Sequence, residues 1–503
     1  MDDFDTLVIG AGINGAVSAA ALSARGLRVL LVDRGDFASF TSQTSSNMVW
    51  GGIKYLQDYE FGLVFKLCRS RARLMRYYPT QIRSIGFLAS LGPNAPFSRP
   101  MGILGAYLYW VIGLFTTPKP RLFSRSGALH EEPALNPKGL RGSLEYFDGL
   151  LIDNDARFVY GFVRRAAQLG AEVRNYTEVM AAELGSKRWK VTLRDVATGA
   201  LREVSARSVV NATGPFANEV QQLLGVESPT RVALSKGIHL TVRRIVSDKR
   251  ILAFWDEQGR LFYVIPLLDR SIIGTTDTRV DSPFTSTNDE DRDFVLRQIN
   301  AQLNLAEPLT KADIVAERSG VRPLVVQGGA DAVAADWHHL TRKHVIEANV
   351  QRRVVTVFGG KLTDCLNVGH EVVAGVAKLK VRGFRRRRWF GEDNFAGLDA
   401  LRQVLDVKVG DPAVSERLAS GLWRRHGNLA LPIAAGATPA ELAEVFDGIG
   451  VCAAELKLIA QTEHVTSAED LLRRRLPLAL ARSANEIAGN SALQGLLAEL
   501  RLN

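Results

Sequence analysis

The sequence is poor in the residues that would suggest metal or disulfide chemistry. It has three cysteines in 503 residues, Cys68, Cys365 and Cys452, and no two have metal-ligand spacing. An odd, scattered set excludes a disulfide scaffold and suits a reducing compartment. The eight histidines form no HExxH or paired-ligand pattern, so no metal site is expected, and His338 and His339 read as loop residues. Long hydrophobic runs are also missing. The longest, Met101 to Phe115 (MGILGAYLYWVIGLF), falls short of the ~20 residues a spanning helix needs. Its aromatic rings suit either a membrane-surface segment or a helix packed on protein. Asp2, Asp3 and Asp5 stand where a secretion signal would carry positive charge, so a cytoplasmic protein is expected.

Acidic residues are the minority charge. The chain has 53 Asp+Glu against 63 Lys+Arg, a formal charge of +10. The excess favours anionic partners, either phosphorylated molecules or acidic lipid. No nucleic-acid module accompanies it, and nucleic acid is not an expected partner. The sharpest basic run, Lys378 to Arg388, reads as a solvated linker or as a contact with lipid headgroups.

The beginning of the chain is informative. An apolar strand, Phe4 to Ile9, runs into Gly10-Ala11-Gly12-Ile13-Asn14-Gly15. An alanine-rich helix follows and stops at Gly26, and a second strand ends at Asp33. Gly10 permits a tight turn, Gly12 a close approach of backbone to pyrophosphate, and Gly15 close helix–strand packing. The helix N-terminus favours phosphate charge, and Asp33 can accept hydrogen bonds from ribose hydroxyls. This order predicts an adenine dinucleotide without a 2′-phosphate.

The choice between FAD and NAD turns on three further segments. Thr41-Ser42-Gln43-Thr44-Ser45-Ser46 offers hydroxyls and loop amides to a pyrophosphate. Ser208 to Gly214 (SVVNATG) is a strand that ends in a small-residue turn able to approach a dinucleotide. Val354 to Thr363 (VVTVFGGKLT) is a strand delivering amides and a lysine, which suits the electron-rich end of a reduced flavin.

These segments, with GGIKYLQDYEFGLV (Gly51 to Val64), DNDARFV (Asp153 to Val159), VVNATGPFA, SIIGTTDT, SGVRPL (Ser319 to Leu324) and VFGGKLT, resemble the FAD-dependent glycerol-3-phosphate dehydrogenases. That group lies within the glycine and D-amino-acid oxidase-like flavoproteins. The stretch Ala454 to Arg475 resembles the group's helical C-terminal part.

The resemblance implies an α/β fold: a Rossmann-like FAD-binding domain, a mixed β-sheet substrate domain and a helical C-terminal domain. The expected division is 1–90, 150–230 and 345–380 for FAD, 91–149 and 231–344 for substrate, 381–395 as a basic linker and 396–503 as the helical part. The cofactor residues implied are Gly10, Gly12, Asn14, Gly15, Asp33, Thr41, Ser42, Ser45, Ser46, Thr213, Gly214, Gly360, Lys361, Leu362 and Thr363. The catalytic set implied is Lys361, Arg322, Lys54, Tyr55 and Arg342. The resemblance implies a small phosphorylated polyol as substrate and a quinone or oxygen as electron acceptor. With the basic run and the apolar aromatic segment, contact with the inner face of the cytoplasmic membrane is expected, and a second copy of the chain is a further expected partner.

The chain departs from its relatives on one wall. Where the group usually reads HGGLRYL, Trp50 replaces the histidine and Lys54 the arginine. Asn47 stands where a lysine is usual, and Asp364-Cys365-Leu366 replaces Thr-Tyr-Arg. An oxidoreductase of this fold acting on another polyol phosphate, a hydroxy acid or an amine therefore stays open. So does a flavin-binding protein whose catalytic site has decayed.

Overall fold

The strand Asp2–Ile9 lies inside an eight-stranded sheet, paired in parallel with Val29–Val32 on one side and Leu201–Asn211 on the other. Val354–Phe358 and Glu172–Arg174 extend the parallel set, and Val345–Asn349 closes one edge antiparallel. A computed structural model describes residues 2–328, 343–392 and 396–502.

These strands are apolar throughout because both sheet faces are covered. The helices Ile13–Ala24, Asp155–Gln168 and Cys365–Lys378 cover one face, and the first is buried along nearly its whole length. That burial explains its composition: Ala16, Ala19, Ala20 and Ala21 leave room for a helix on either side and strands beneath. Thr177–Leu184 and Trp189–Asp195 form an antiparallel meander against the first half of Leu201–Asn211, with Trp189 fully buried in the core between the layers. Each fully buried Val or Leu here contributes roughly 1.5–3 kcal/mol.

A second, ten-stranded mixed sheet packs beside the first. Its spine is the long pair Thr230–Arg243 and Ile314–Gln327, antiparallel over almost their whole length. Ile238, Leu240 and Val242 point into a core closed by the helix Asp289–Gln302. The period of two therefore turns Ser235, Gly237 and His239 to the opposite face. Strands Met48–Val49 and Ile82–Ser90 also pair into this sheet, although the sequence reading grouped them with the FAD-binding part. The reason is their alternation: Ile85, Phe87 and Ala89 pack under the helices Phe61–Tyr77 and Arg99–Ile112, and Leu88 faces the other way.

From Leu398 the chain is helical. It is fastened back by buried ion pairs. Arg475 donates to both Asp36 carboxylate oxygens at 2.8 Å, Arg474 reaches the same carboxylate at 2.7 Å, and Arg157 pairs with Glu463. The basic run is no free linker along its backbone. Arg385 and Arg387 donate their N–H groups to the carbonyls of Arg25 and Ala24 at the end of the first helix, while their side chains stay exposed. Arg385, whose side chain lies against Gly26, brings a positive charge to that helix C-terminus.

Candidate active site

The glycine turn shapes a cleft of about 260 Å³ at the carboxyl ends of the parallel strands. Gly10 adopts φ +93°, and a Cβ there would lie 2.8 Å from the Ala212 carbonyl. At Gly15 a Cβ would collide with the Gly10 carbonyl, and at Gly12 it would lie 3.0 Å from Ser42 Oγ. Asp33 accepts from the Ala11 N–H at 2.6 Å and the Gly35 N–H at 2.9 Å. Burial raises its pKa to about 6.

Thr41 and Ser42 line the cleft. Ser42 Oγ accepts from the Ile13 N–H, and Thr41 donates to the Val321 carbonyl. Thr213 and Gly214 line it too, where the strand Leu201–Asn211 turns away. Asn14 ties the two ends of the site together. Its Nδ2 donates to the Gly359 carbonyl at 2.8 Å, and its Oδ1 is buried without a partner, 3.1 Å from where a Cβ on Gly360 would sit.

Ser45 and Ser46 do not line the cleft. The Ser45 N–H is taken by the Asp155 carboxylate and its Oγ by the Asn47 N–H, so Ser45 holds the loop. Sequence reasoning missed Arg34. Its guanidinium lies 3.7 Å from the Phe216 ring centre, between Phe40 and Phe284, on the cleft wall beside Asp33. Little local signal marks it, because two of the three rings, Phe216 and Phe284, come from distant segments.

Beyond Gly360 the chain leads to the second cluster. Lys361 donates to the Tyr55 hydroxyl at 2.5 Å. Thr363 Oγ1 accepts from the Trp50 N–H at 3.0 Å, and the Trp50 and Tyr55 rings lie 5.9 Å apart. Leu362 begins the short turn into the helix Cys365–Lys378. Lys54 is exposed on the turn Ile53–Leu56. Arg342, like His338 and His339, lies outside the described residues.

Arg322 stands on the strand Ile314–Gln327, paired with Ser235. It donates to the Thr275 hydroxyl at 2.7 Å and the Thr276 carbonyl at 3.2 Å, and sits 3.4 Å from Asp277. Gly237 leaves the space its guanidinium fills. His239, on the same face, is the second residue the sequence reading missed. It is 3% exposed, and neither ring nitrogen has a hydrogen-bond partner. Burial, then the charges of Arg318 and Arg322, hold its pKa well below the usual histidine range. The signal was present: a histidine at the odd position of the alternating stretch Gly237 to Thr241.

Arg318 pairs with the Ser45 carbonyl at 2.9 Å and with Asn47 Oδ1 at 3.1 Å. Asn47 has φ +58°, which asparagine tolerates, and its Nδ2 donates to the Asp153 carbonyl. A lysine could not both accept from Arg318 and make that turn readily. Asp364 accepts from Ser70 and lies 3.1 Å from His344, while Cys365 and Leu366 fill the core.

Residues 5–361 match the family model described as FAD dependent oxidoreductase. This chain belongs to that family. Within it, the chain is 32% identical to glycerol-3-phosphate dehydrogenase 2 of Mycobacterium tuberculosis, over 95% of this chain and 82% of that protein. It is 31% identical to the aerobic glycerol-3-phosphate dehydrogenase of Escherichia coli, over 94% of both. The fold is similar to that of the glycerol-3-phosphate dehydrogenase from Bacillus halodurans complexed with FAD, with TM-score 0.75, 22% identity and coverage of 100% and 91%. It is also similar to the FAD-bound L-alpha-glycerophosphate oxidase of Mycoplasma pneumoniae, with TM-score 0.60, 18% identity and coverage of 78% and 99%. The chain is an FAD-dependent oxidoreductase on the glycerol-3-phosphate dehydrogenase branch. The cleft suits FAD: a glycine cradle with no room for a side chain, a buried acid for ribose, and an orphaned Asn14 oxygen beside Gly360.

Proposed function

We propose that this protein oxidises sn-glycerol 3-phosphate to dihydroxyacetone phosphate and passes the electrons to a quinone. Bound FAD supplies the hydride acceptor. Gly10, Gly12, Thr41, Ser42 and Asp33 hold its dinucleotide part, and Asn14, Gly360 and Thr363 flank the ring end. Lys361, seated against Tyr55, places a positive charge where negative charge develops. Arg322 provides a guanidinium for the phosphate. His239 accepts the hydroxyl proton, and the observation that carries this role is its buried, neutral imidazole with both nitrogens unpartnered. The test is product formation: dihydroxyacetone phosphate should accumulate with glycerol 3-phosphate and a short-chain quinone, and its absence with every acceptor would refute the reading.

The quinone reading is supported by an apolar surface near the substrate end. On and just after the helix Arg99–Ile112, Met101, Leu104, Leu108, Val111 and Phe115 are exposed at helical spacing, and Phe61 and Phe65 are exposed on the neighbouring helix. No helix among the described residues is long and apolar enough to cross a membrane. Arg388 packs on Tyr77, at the far end of the helix Phe61–Tyr77, which puts the basic run ~25 Å from Phe61 at 1.5 Å per residue. The apolar stripe is therefore the main membrane contact, and the arginines add an electrostatic one. Vesicle flotation of the Leu104→Glu, Leu108→Glu variant tests this assignment: loss of flotation supports it and unchanged flotation removes it.

A further inference from the structure

A second cavity of about 260 Å³ lies apart from the cofactor cleft, and the function above does not use it. Its walls come from the helix Asp155–Gln168, the segment Trp389–Glu392 and the end of the helix Pro412–His426 with the turn that follows. The lining is cationic. Arg164, Arg165 and Arg424 face it with His426, and Glu392 is the one carboxylate among the described lining residues.

Arg165 Nε, Arg424 Nε and His426 Nδ1 are buried without a hydrogen-bond partner. The rest of each side chain is anchored. Arg165 Nη2 donates to the Arg388 carbonyl at 3.0 Å, Arg424 Nη2 meets Asp153 at 3.0 Å, and His426 Nε2 bonds Glu455 at 2.7 Å. His426 is 3% exposed, and its nearest other carboxylate, Glu463, stands 3.9 Å from Nδ1, too far for a hydrogen bond. An ionised carboxylate only accepts, so the proton of the neutral ring sits on Nε2 and Nδ1 is left as an acceptor.

Buried donors and acceptors are almost always satisfied. Here the unmet needs are complementary: guanidinium N–H groups seek an anion, and an imidazole nitrogen seeks a hydroxyl. A phosphate monoester that also carries hydroxyl groups has the chemistry these side chains call for, and guanidinium matches phosphate well. We propose that this cavity binds a small phosphorylated polyol or sugar, separately from the substrate site. The site is also connected to the catalytic face. Arg424 pairs with Asp153, whose carbonyl accepts from Asn47, which in turn accepts from Arg318.

The test is calorimetric titration of the full-length, FAD-loaded protein with glycerol 2-phosphate, which has a phosphate and hydroxyls. One binding event should persist in Arg322→Leu and weaken at least tenfold in Arg165→Gln. A second variant, Gly161→Leu, guards against misfolding. Gly161 lines the cavity on a helix, and an added Cβ meets nothing within 4 Å, so leucine fills the space and favours the helix. It should abolish the same event with FAD content unchanged. Inorganic phosphate as a second probe separates the two halves of the site: weaker binding than glycerol 2-phosphate, with the difference lost in His426→Phe, assigns the hydroxyl to His426. Absence of binding, or binding lost in Arg322→Leu and unchanged in both Arg165→Gln and Gly161→Leu, would overturn the proposal.

Discussion

The Lys361 ammonium donates to the Tyr55 hydroxyl at 2.5 Å and stands 4.0 Å from the centre of the same ring. Lys361 follows the end of a first-sheet strand, and Tyr55 sits on a turn packed against the second sheet. The contact joins the two layers at the point where substrate and cofactor are expected to meet. Lys361→Met should therefore slow flavin reduction by about 100-fold, the scale of losing one preorganised charge, ~3 kcal/mol. FAD content should stay near wild type. Stopped-flow reduction together with the flavin-to-protein ratio checks both parts.

His239 gives a prediction about pH. Its pKa lies well below 6.5, so it is neutral and able to accept a proton at pH 7. Only when the pH falls well below 6.5 does the ring become charged and lose that ability. The reductive rate should be level from pH 8 to 6.5 and fall on the acid side. His239→Asn should lower the rate by about 100-fold and remove the acid limb. A wild-type acid limb retained in His239→Asn would assign the proton to another group.

Asp33 links cofactor affinity to pH in the opposite half of the site. Its pKa without ligand is raised to about 6 by burial, so it is largely protonated at pH 5. Ribose hydroxyls donate to the ionised form, so FAD binding must first remove that proton. FAD should bind about tenfold more weakly at pH 5 than at pH 7, by linkage across one pKa unit. In Asp33→Asn the affinity should not change over this range. Fluorescence titration of the apoprotein with FAD measures it.

The buried fastening of the helical C-terminal part should matter for stability. Arg475 has a fully buried side chain and shares Asp36 with Arg474. Arg475→Met should cost about 3 kcal/mol, because it leaves a buried carboxylate with one partner fewer. Arg402→Met, which removes an exposed pair with Glu416, should cost less than ~1 kcal/mol. Denaturant midpoints of the two variants compare them directly.

Much of this was legible in the order of the residues. The strand, turn, helix and Asp33 of the first unit are local features, and so is the strand leading to Gly359 and Gly360. What was not legible is contact between distant segments. Asp36 meets Arg474 and Arg475 from the other end of the chain, and three separated phenylalanines surround Arg34. Ser45 looked like its neighbours Thr41 and Ser42, yet Asp155 claims its amide. His239 needed only the face assignment of one strand, which the register with Ile314–Gln327 supplies. The apolar run on Arg99–Ile112 has two faces that its composition did not separate: Ala106 and Tyr109 are buried against the second sheet, and Met101, Leu104, Leu108 and Val111 are exposed.

Trp50 and Lys54 remain the places where substrate choice would change. Trp50 packs near Tyr55 and gives its backbone N–H to Thr363, so its ring lies beside the tyrosine that holds Lys361. Lysine at position 54 offers a point charge where arginine offers a planar fork. If these residues have shifted the substrate, the Trp50→His, Lys54→Arg double variant should reduce its flavin with glycerol 3-phosphate at least tenfold faster than the unmodified protein. No gain would mean that neighbouring groups already compensate.

The most direct measurement is an anaerobic titration of the purified, FAD-loaded protein with sn-glycerol 3-phosphate, followed at the flavin absorbance near 450 nm. Loss of the oxidised flavin band, with one dihydroxyacetone phosphate formed per flavin reduced, is the predicted result. A flavin that stays oxidised with glycerol 3-phosphate but bleaches with an amine or a hydroxy acid would contradict the proposed function and leave the fold and cofactor standing.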